Sequence, residues 1–304
     1  MALSHNCIYG NSGVGKTTLI AQIIRYFFDN FGCRSKVMTC DNMAPLKRVV
    51  SDGIAQVWNI NERDYPFQTS EMAVQGFWPE DINDPESDLT QRNDYDQYPL
   101  RFYEGLSTVG EYMLGSYAKG ALAQRAGSNQ RVGPGTRPGE DTISFMDGKK
   151  KTTPVGGNSR SHYNVVQRAV HKLVIMSYRL PVHVWWSAHE IKAAKDEYGP
   201  PHPNFGPEVV GTAFTPKTPR WFDNMLHLAI EPPKVGDKKG LRGAGDRKIF
   251  LTDHYDPLIP NIPFKAKIGV PPEDQGLMPE VINNNKEEVH GLLDLLFPKS
   301  TSKK

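Results

Sequence analysis

Eight residues near the N-terminus, Gly10-Asn11-Ser12-Gly13-Val14-Gly15-Lys16-Thr17, read G-x-x-x-x-G-K-T. No other feature of the chain constrains its fold as tightly. Glycines in such a loop let the backbone wrap an anion with its N–H groups turned inward. A helix beginning at the lysine adds the positive end of its dipole to the same anion. The pattern has meaning only between a strand and a helix, and both are legible. Ser4 to Tyr9 reads as a strand. After the loop, Leu19, Ile20, Ile23, Ile24, Phe27 and Phe28 recur with a 3.6-residue period, and Gly32 stands where a helix C-terminal glycine belongs.

The loop predicts a nucleoside triphosphate cradle from Gly10 to Thr18. Lys16 is expected on the β- and γ-phosphates and the Thr17 hydroxyl on Mg2+. ATP is the expected nucleotide; no guanine-reading Asn-Lys-x-Asp motif appears.

Further strands are expected at Lys36 to Cys40, Ile54 to Ile60, Leu100 to Tyr103, Val182 to Ser187, Met225 to Ile230 and Lys248 to Thr252. Helices are expected at Leu106 to Gln124, Ser161 to Arg179 and Glu287 to Phe297. Alternating strands and helices imply an α/β fold with a mostly parallel central sheet flanked by helices. Two stretches interrupt the pattern. Residues 64–97 are acidic and poorly periodic and read as an insertion or surface loop. Residues 126–158 are rich in Gly, Pro, Ser and Lys and too long for an ordinary connection. The expected division is a core over 1–270 and an extension over 271–304 with a short helix and a basic tail. Of the Trp185-Trp186 pair in one strand, one ring is expected in the core.

Magnesium in such a site needs an acid at the tip of an apolar strand, and Glu104 in Tyr103-Glu104-Gly105-Leu106-Ser107 stands there. Asp41 closes the strand expected beside the P-loop strand, where a carboxylate polarises an attacking water. His189 and Glu190 close the strand from Val182, at the edge of a parallel sheet that faces ligand. His189 is a candidate γ-phosphate sensor. Glu190 and Asp41 both remain candidates for the base.

Net charge is +2, from 36 basic and 34 acidic residues, so only local clustering points to a polyanion. Such a cluster runs from Arg125 to Arg160, with seven basic residues against three acidic ones. Arg131, Arg137, Lys149, Lys150, Lys151 and Arg160 are the candidate DNA contacts, with Phe145 and Tyr163 as stacking candidates. Late in the chain, Arg247, Lys248, Lys265 and Lys267 are candidates for a finger reaching a neighbouring subunit's γ-phosphate. The three cysteines, Cys7, Cys33 and Cys40, lack the spacing of a disulfide scaffold or zinc site. No apolar run of bilayer length occurs and the N-terminus lacks signal-peptide features, so a cytoplasmic location is expected, that of the host for a phage protein.

The N-terminal P-loop, the strand ending in Asp41, the strand-end YEGLS, the Ala188-His189-Glu190 after a strand, and the stretch GPEVVGTAFTPKTPRWFDNMLHL together resemble the phage-type RecA-like nucleotide-binding ATPases, some of them single-strand-annealing or recombination ATPases. The likeness spans roughly residues 4–270 in order of elements. It implies a RecA-like core, ATP and Mg2+, DNA as partner (single-stranded), and self-association into rings or filaments. The family's strand-end aspartate falls on Glu104 here. The expectation is therefore a DNA-dependent ATPase of recombination, repair or replication. A packaging or translocating motor, a small-molecule kinase, and an ATP-binding switch with weak turnover are the alternatives.

Overall fold

The computed structural model of the 304-residue chain describes residues 3–41, 43–61, 63, 65–84, 86–115, 142–144, 152–154, 160–191, 206–209, 215–231, 246–256, 259–269 and 278–298. The first strand, β1 (His5–Gly10), runs directly into the glycine loop and then α1 (Lys16–Phe31). β2 (Ser35–Thr39), α2 (Lys47–Ser51), β3 (Ala55–Asn59), α3 (Pro66–Ala73), β4 (Phe77–Pro79), β5 (Leu89–Gln91), β6 (Leu100–Glu104) and a helix α4 over 106–115 follow. Then come β7 (Thr142–Ser144), β8 (Thr152–Pro154), α5 (Arg160–Ser177), β9 (His183–His189), β10 (Asn224–Ile230) and β11 (Arg247–Phe250). The last elements are β12 (His254–Asp256), β13 (Ile259–Phe264), β14 (Val281–Asn283) and α6 (Lys286–Leu296).

Eight strands form the central sheet in the order β14-β11-β10-β1-β9-β6-β2-β3. Pairing is parallel from β10 to β3, and β11 runs antiparallel between β10 and β14. Both faces are covered. α1 buries Leu19, Ile20, Ile23, Ile24 and Phe27 against Ile8, Phe102, Trp185 and Leu226, joined by Val289, Leu292 and Leu293 of α6. Burial of each such aliphatic side chain contributes about 1.5–3 kcal/mol. The other face packs Val166, Val170, Leu173 and Val174 of α5 and Val109 of α4 on Tyr9, Met38, Tyr103 and Trp186. This is the α/β P-loop fold with a mostly parallel sheet that the sequence predicts.

Successive side chains of a strand point to opposite faces. Trp185 and Trp186 are therefore both core residues, one in each layer, where only one was expected inside. Val165 of α5 is 39% exposed.

Two boundaries differ from expectation. The acidic stretch 64–97 carries α3 and the β4–β5 hairpin. Its Trp78 is buried 5.5 Å from Trp58, and its Asp94 bonds Lys36 of β2 at 2.5 Å and Arg101 of β6 at 2.7 Å. Short elements held by tertiary contacts leave little periodicity to read. The residues beyond 270 complete the core: β14 joins the sheet and α6 packs on α1. Within 126–158, β7 and β8 form a hairpin, and the rest lies outside the described residues.

Candidate phosphate-binding site

The site lies at the C-terminal ends of β1, β9, β6 and β2, where open α/β sheets hold ligand. Gly10 ends β1 so close to β10 that a Cβ there would stand 2.3 Å from the Leu228 carbonyl oxygen. Gly15 holds φ +100° at the start of α1, a conformation L side chains rarely adopt. These two glycines fix the path of the loop around a cavity of about 450 Å³, lined by Ser12, Gly13, Gly15, Lys16, Thr17 and Thr18 of the loop and by Asp41, Ala44, Pro45, His189 and Arg247.

Lys16 is largely buried, and its ammonium donates to the carbonyls of Gly10 and Asn11, both at 3.0 Å. Burial lowers its pKa, opposed by Asp41, Glu104 and Glu190. The Thr17 hydroxyl donates to Glu104 Oε1, and the Thr39 hydroxyl donates to Glu104 Oε2 at 2.8 Å. Thr39 also accepts from the backbone N–H of Asp41 at 2.9 Å. One hydroxyl of β2 thus ties both candidate acids into a single cluster. Glu104 is 1% exposed. Burial raises its pKa, while the two threonines and Lys16 pull it back and Asp41 pushes it further up.

Asp41 does not stand on a strand next to β1. β9 and β6 lie between β1 and β2, because β1 takes β9 and β10 as its parallel partners. Asp41 nonetheless lines the cavity, since the strand ends converge there. His189 pairs in register with Gly10. Its backbone N–H donates to Ser107 Oγ at 2.9 Å, and Ser107 donates to the Glu208 carbonyl at 2.7 Å. Burial, then Lys16, lowers the His189 pKa, which leaves a neutral imidazole at the cavity wall above pH 6.5.

Glu190 points to the opposite face. Its Oε2 lies 3.1 Å from His227 Nε2, and His227 Nδ1 lies 3.0 Å from His254 Nε2. The structure thus separates the two candidate bases: Asp41 lines the cavity and Glu190 does not.

The four late cations also part company. Arg247 lies on its own chain's loop, with Cδ and Nε 3.3 and 3.6 Å from the point a Gly15 Cβ would occupy. Lys248 pairs with Glu231 at 3.4 Å and Asn283 at 2.6 Å, and Lys265 with Asp253 at 2.6 Å. Lys267 pairs its backbone with Met225. None of these three lines the cavity. Arg131, Arg137, Lys149, Lys150, Lys151, Phe145 and the side chains of Arg160 and Tyr163 lie outside the described residues.

Sequence reasoning missed Thr39, Ser107 and the placement of Arg247 on its own loop. Period-2 alternation from Asp41 would have put Thr39 on the inner row of β2. Nothing local marks the other two.

Thr17, Glu104 and Thr39 offer an all-oxygen donor set at the mouth of a phosphate loop, the chemistry Mg2+ takes when it shares ligands with phosphates. Among the described residues no group of three or more His, Cys, Asp or Glu side chains could hold a metal ion. Cys7, Cys33 and Cys40 are free thiols. No helix among the described residues is long and apolar enough to cross a membrane.

No family model matches the chain and no curated protein does. Among solved structures it is similar to a KaiC-like protein from the hyperthermophilic archaeon Pyrococcus horikoshii OT3, at 10% identity over 81% of this chain and 77% of that chain, with a TM-score of 0.38. The fold assignment rests on the glycine loop and the strand order. The chain has a P-loop NTPase fold.

Proposed function

We propose that the chain is a Mg2+-dependent ATP hydrolase of the RecA-like, DNA-stimulated kind, acting as a homo-oligomer on single-stranded DNA in recombination, repair or replication. The observation that carries the hydrolase is the Thr17–Glu104–Thr39 cluster at the loop mouth, with Asp41 tied to it through Thr39.

Lys16 leaves the carbonyls of Gly10 and Asn11 for the β- and γ-phosphate oxygens, where its charge has more to bind. Thr17 and Glu104 would hold a Mg2+, which would offset phosphate charge. Asp41 takes the proton of a water as that water's oxygen attacks the γ-phosphorus. The bond from γ-phosphorus to the bridging oxygen breaks, its electron pair stays on ADP, and inorganic phosphate leaves. His189, whose backbone N–H donates to the Ser107 hydroxyl, senses the γ-phosphate from the cavity wall. The DNA role is supported by the basic stretch 125–160 and by the family resemblance.

ATP hydrolysis measured with and without single-stranded DNA, at two salt concentrations and beside Lys16→Ala, tests the reading. Turnover is expected to rise with DNA, to lose that rise at high salt with a slope of roughly −0.7 per phosphate contacted, and to vanish in the variant. Turnover indifferent to DNA removes the DNA role and brings the kinase alternative forward.

A further inference from the structure

Arg247 opens β11, and the place of β11 in the sheet decides what this side chain reaches. β10 lies between β1 and β11, and its Leu228 pairs with both Gly10 and Ile249. Arg247 pairs with Ile230, two residues further along β10, so it stands about 6–7 Å beyond the end of β1, at the level of the glycine loop. Side chains two apart on a strand share a face. Ile249 is buried in the layer that α1 covers, and Arg247 is therefore on the α1 side of the sheet. The backbone is held there from both neighbours. The Asn284 N–H donates to the Arg247 carbonyl at 2.7 Å, and the Glu231 N–H donates to the Asp246 carbonyl at 2.9 Å.

The Arg247 side chain lies along the loop, with Cδ and Nε 3.3 and 3.6 Å from the point a Gly15 Cβ would occupy. It is exposed and lines the cavity together with Lys16. Its guanidinium makes no hydrogen bond or ion pair among the described residues. Lys248, next in the chain, is by contrast engaged by Glu231 and Asn283, and the Lys16 ammonium by the carbonyls of Gly10 and Asn11. Arg247 is the uncommitted cation of the cavity wall.

We propose that Arg247 binds phosphate in its own chain's site, so that the cation working beside Lys16 is supplied in cis and not by a neighbouring subunit. The proposal rests on reading the cavity as an ATP site. Guanidinium suits phosphate because it is always charged and its planar fork bonds two oxygens at once. An arginine serving a neighbour's nucleotide would have to leave the loop on which this one lies. With the arginine in cis, a single chain holds the whole cation set.

The test is equilibrium binding of AMP-PNP with Mg2+ to the full chain, without DNA and at protein concentrations where sizing shows a monomer, for the wild type, Lys16→Ala, Arg247→Gln and Arg247→Lys. A monomer has no neighbour to lend a cation. Arg247→Gln removes the charge and is expected to weaken binding roughly tenfold. Arg247→Lys should recover part of the loss, and the gap between Arg247→Gln and wild type should narrow as salt rises. Binding that falls in Lys16→Ala but not in Arg247→Gln overturns the cis arginine and leaves the nucleotide site standing. A gap indifferent to salt, with Arg247→Lys no better than Arg247→Gln, makes Arg247 a prop for the loop and also overturns it. A wild type that binds no AMP-PNP overturns both readings. Turnover of Lys16→Ala and Arg247→Gln chains co-expressed and purified together gives a second arm. It is expected to stay at the sum of the two variants alone; recovery above that sum means an arginine acting in trans and overturns the proposal. Thermal melting checks that each variant folds, and Arg247→Lys carries the comparison if Arg247→Gln melts early.

Discussion

The carboxylate of Glu104 accepts one hydrogen bond from Thr17 at the start of α1 and another, at 2.8 Å, from Thr39 on β2. Loop, acid strand and neighbouring strand are thereby joined at a single side chain that is 1% exposed. Glu104→Gln keeps the shape and removes the charge. Its turnover is expected to fall by roughly 10²–10³-fold, the scale on which active sites lose rate when one preorganised electrostatic group is removed. ATP binding should change far less. Glu104→Asp restores the charge on a shorter arm and should recover part of the rate. Phosphate release and calorimetric titration check the pair; equal rates in Glu104→Gln and wild type would remove Glu104 from the chemistry.

The same residue makes stability depend on pH. Burial raises the folded pKa of Glu104 above the ordinary glutamate value of 4.5. Between that value and the raised one the folded chain binds more protons than the unfolded chain, so stability falls as pH rises. The contribution is whole below 4.5 and lost once pH passes the folded pKa. In nucleotide-free protein, Glu104→Gln should therefore melt above wild type at pH 7, and the gap should close as pH is lowered to 4.5. Paired melting curves across this range check it.

Asp41 is the acid that lines the cavity, bound through its N–H to Thr39. Asp41→Asn is expected to lower turnover by about 10²–10⁴-fold, the range of a lost general base, with nucleotide affinity retained. Glu190→Gln should cost much less, since Glu190 faces His227. If single-turnover rates show the reverse order, the base is Glu190.

Lys36 and Arg101 are 2% and 1% exposed and share Asp94. Asp94→Ala strands two buried cations and should cost roughly 3 kcal/mol in urea unfolding. Burial lowers the Lys36 pKa from 10.5 to about 8, with Asp94 opposing the drop. Between those values the unfolded chain binds the extra proton, so the Lys36 contribution to stability rises with pH from about 8 toward 10.5. Lys36→Met should abolish that rise.

What the sequence made legible was chemistry carried by neighbours in the chain. Gly10 to Thr17 declares itself because strand, loop and helix are contiguous, and Glu104, Asp41 and His189 stand at strand ends where such folds keep their polar groups. Sheet order was not legible. Nothing between Thr39 and Asp41 says that β6 and β9 will come between their strand and β1. Nothing near Arg247 says that β11 turns back along β10 and lays that arginine on Gly15. The same holds for Trp78, whose burial depends on Trp58 across the sheet edge.

β9 acts as a gauge for the whole cleft. It holds β1 and β6 two strand spacings apart, about 9–10 Å, while the first turn of α1 reaches back across that gap to Glu104. Its own alternation decides what the gap contains: His189 is turned toward the cavity and Glu190 toward His227. Its parallel pairing on both sides fixes that choice. A one-residue slip of β9 would exchange the two side chains, setting a negative charge on the wall of the cavity and burying an imidazole against His227.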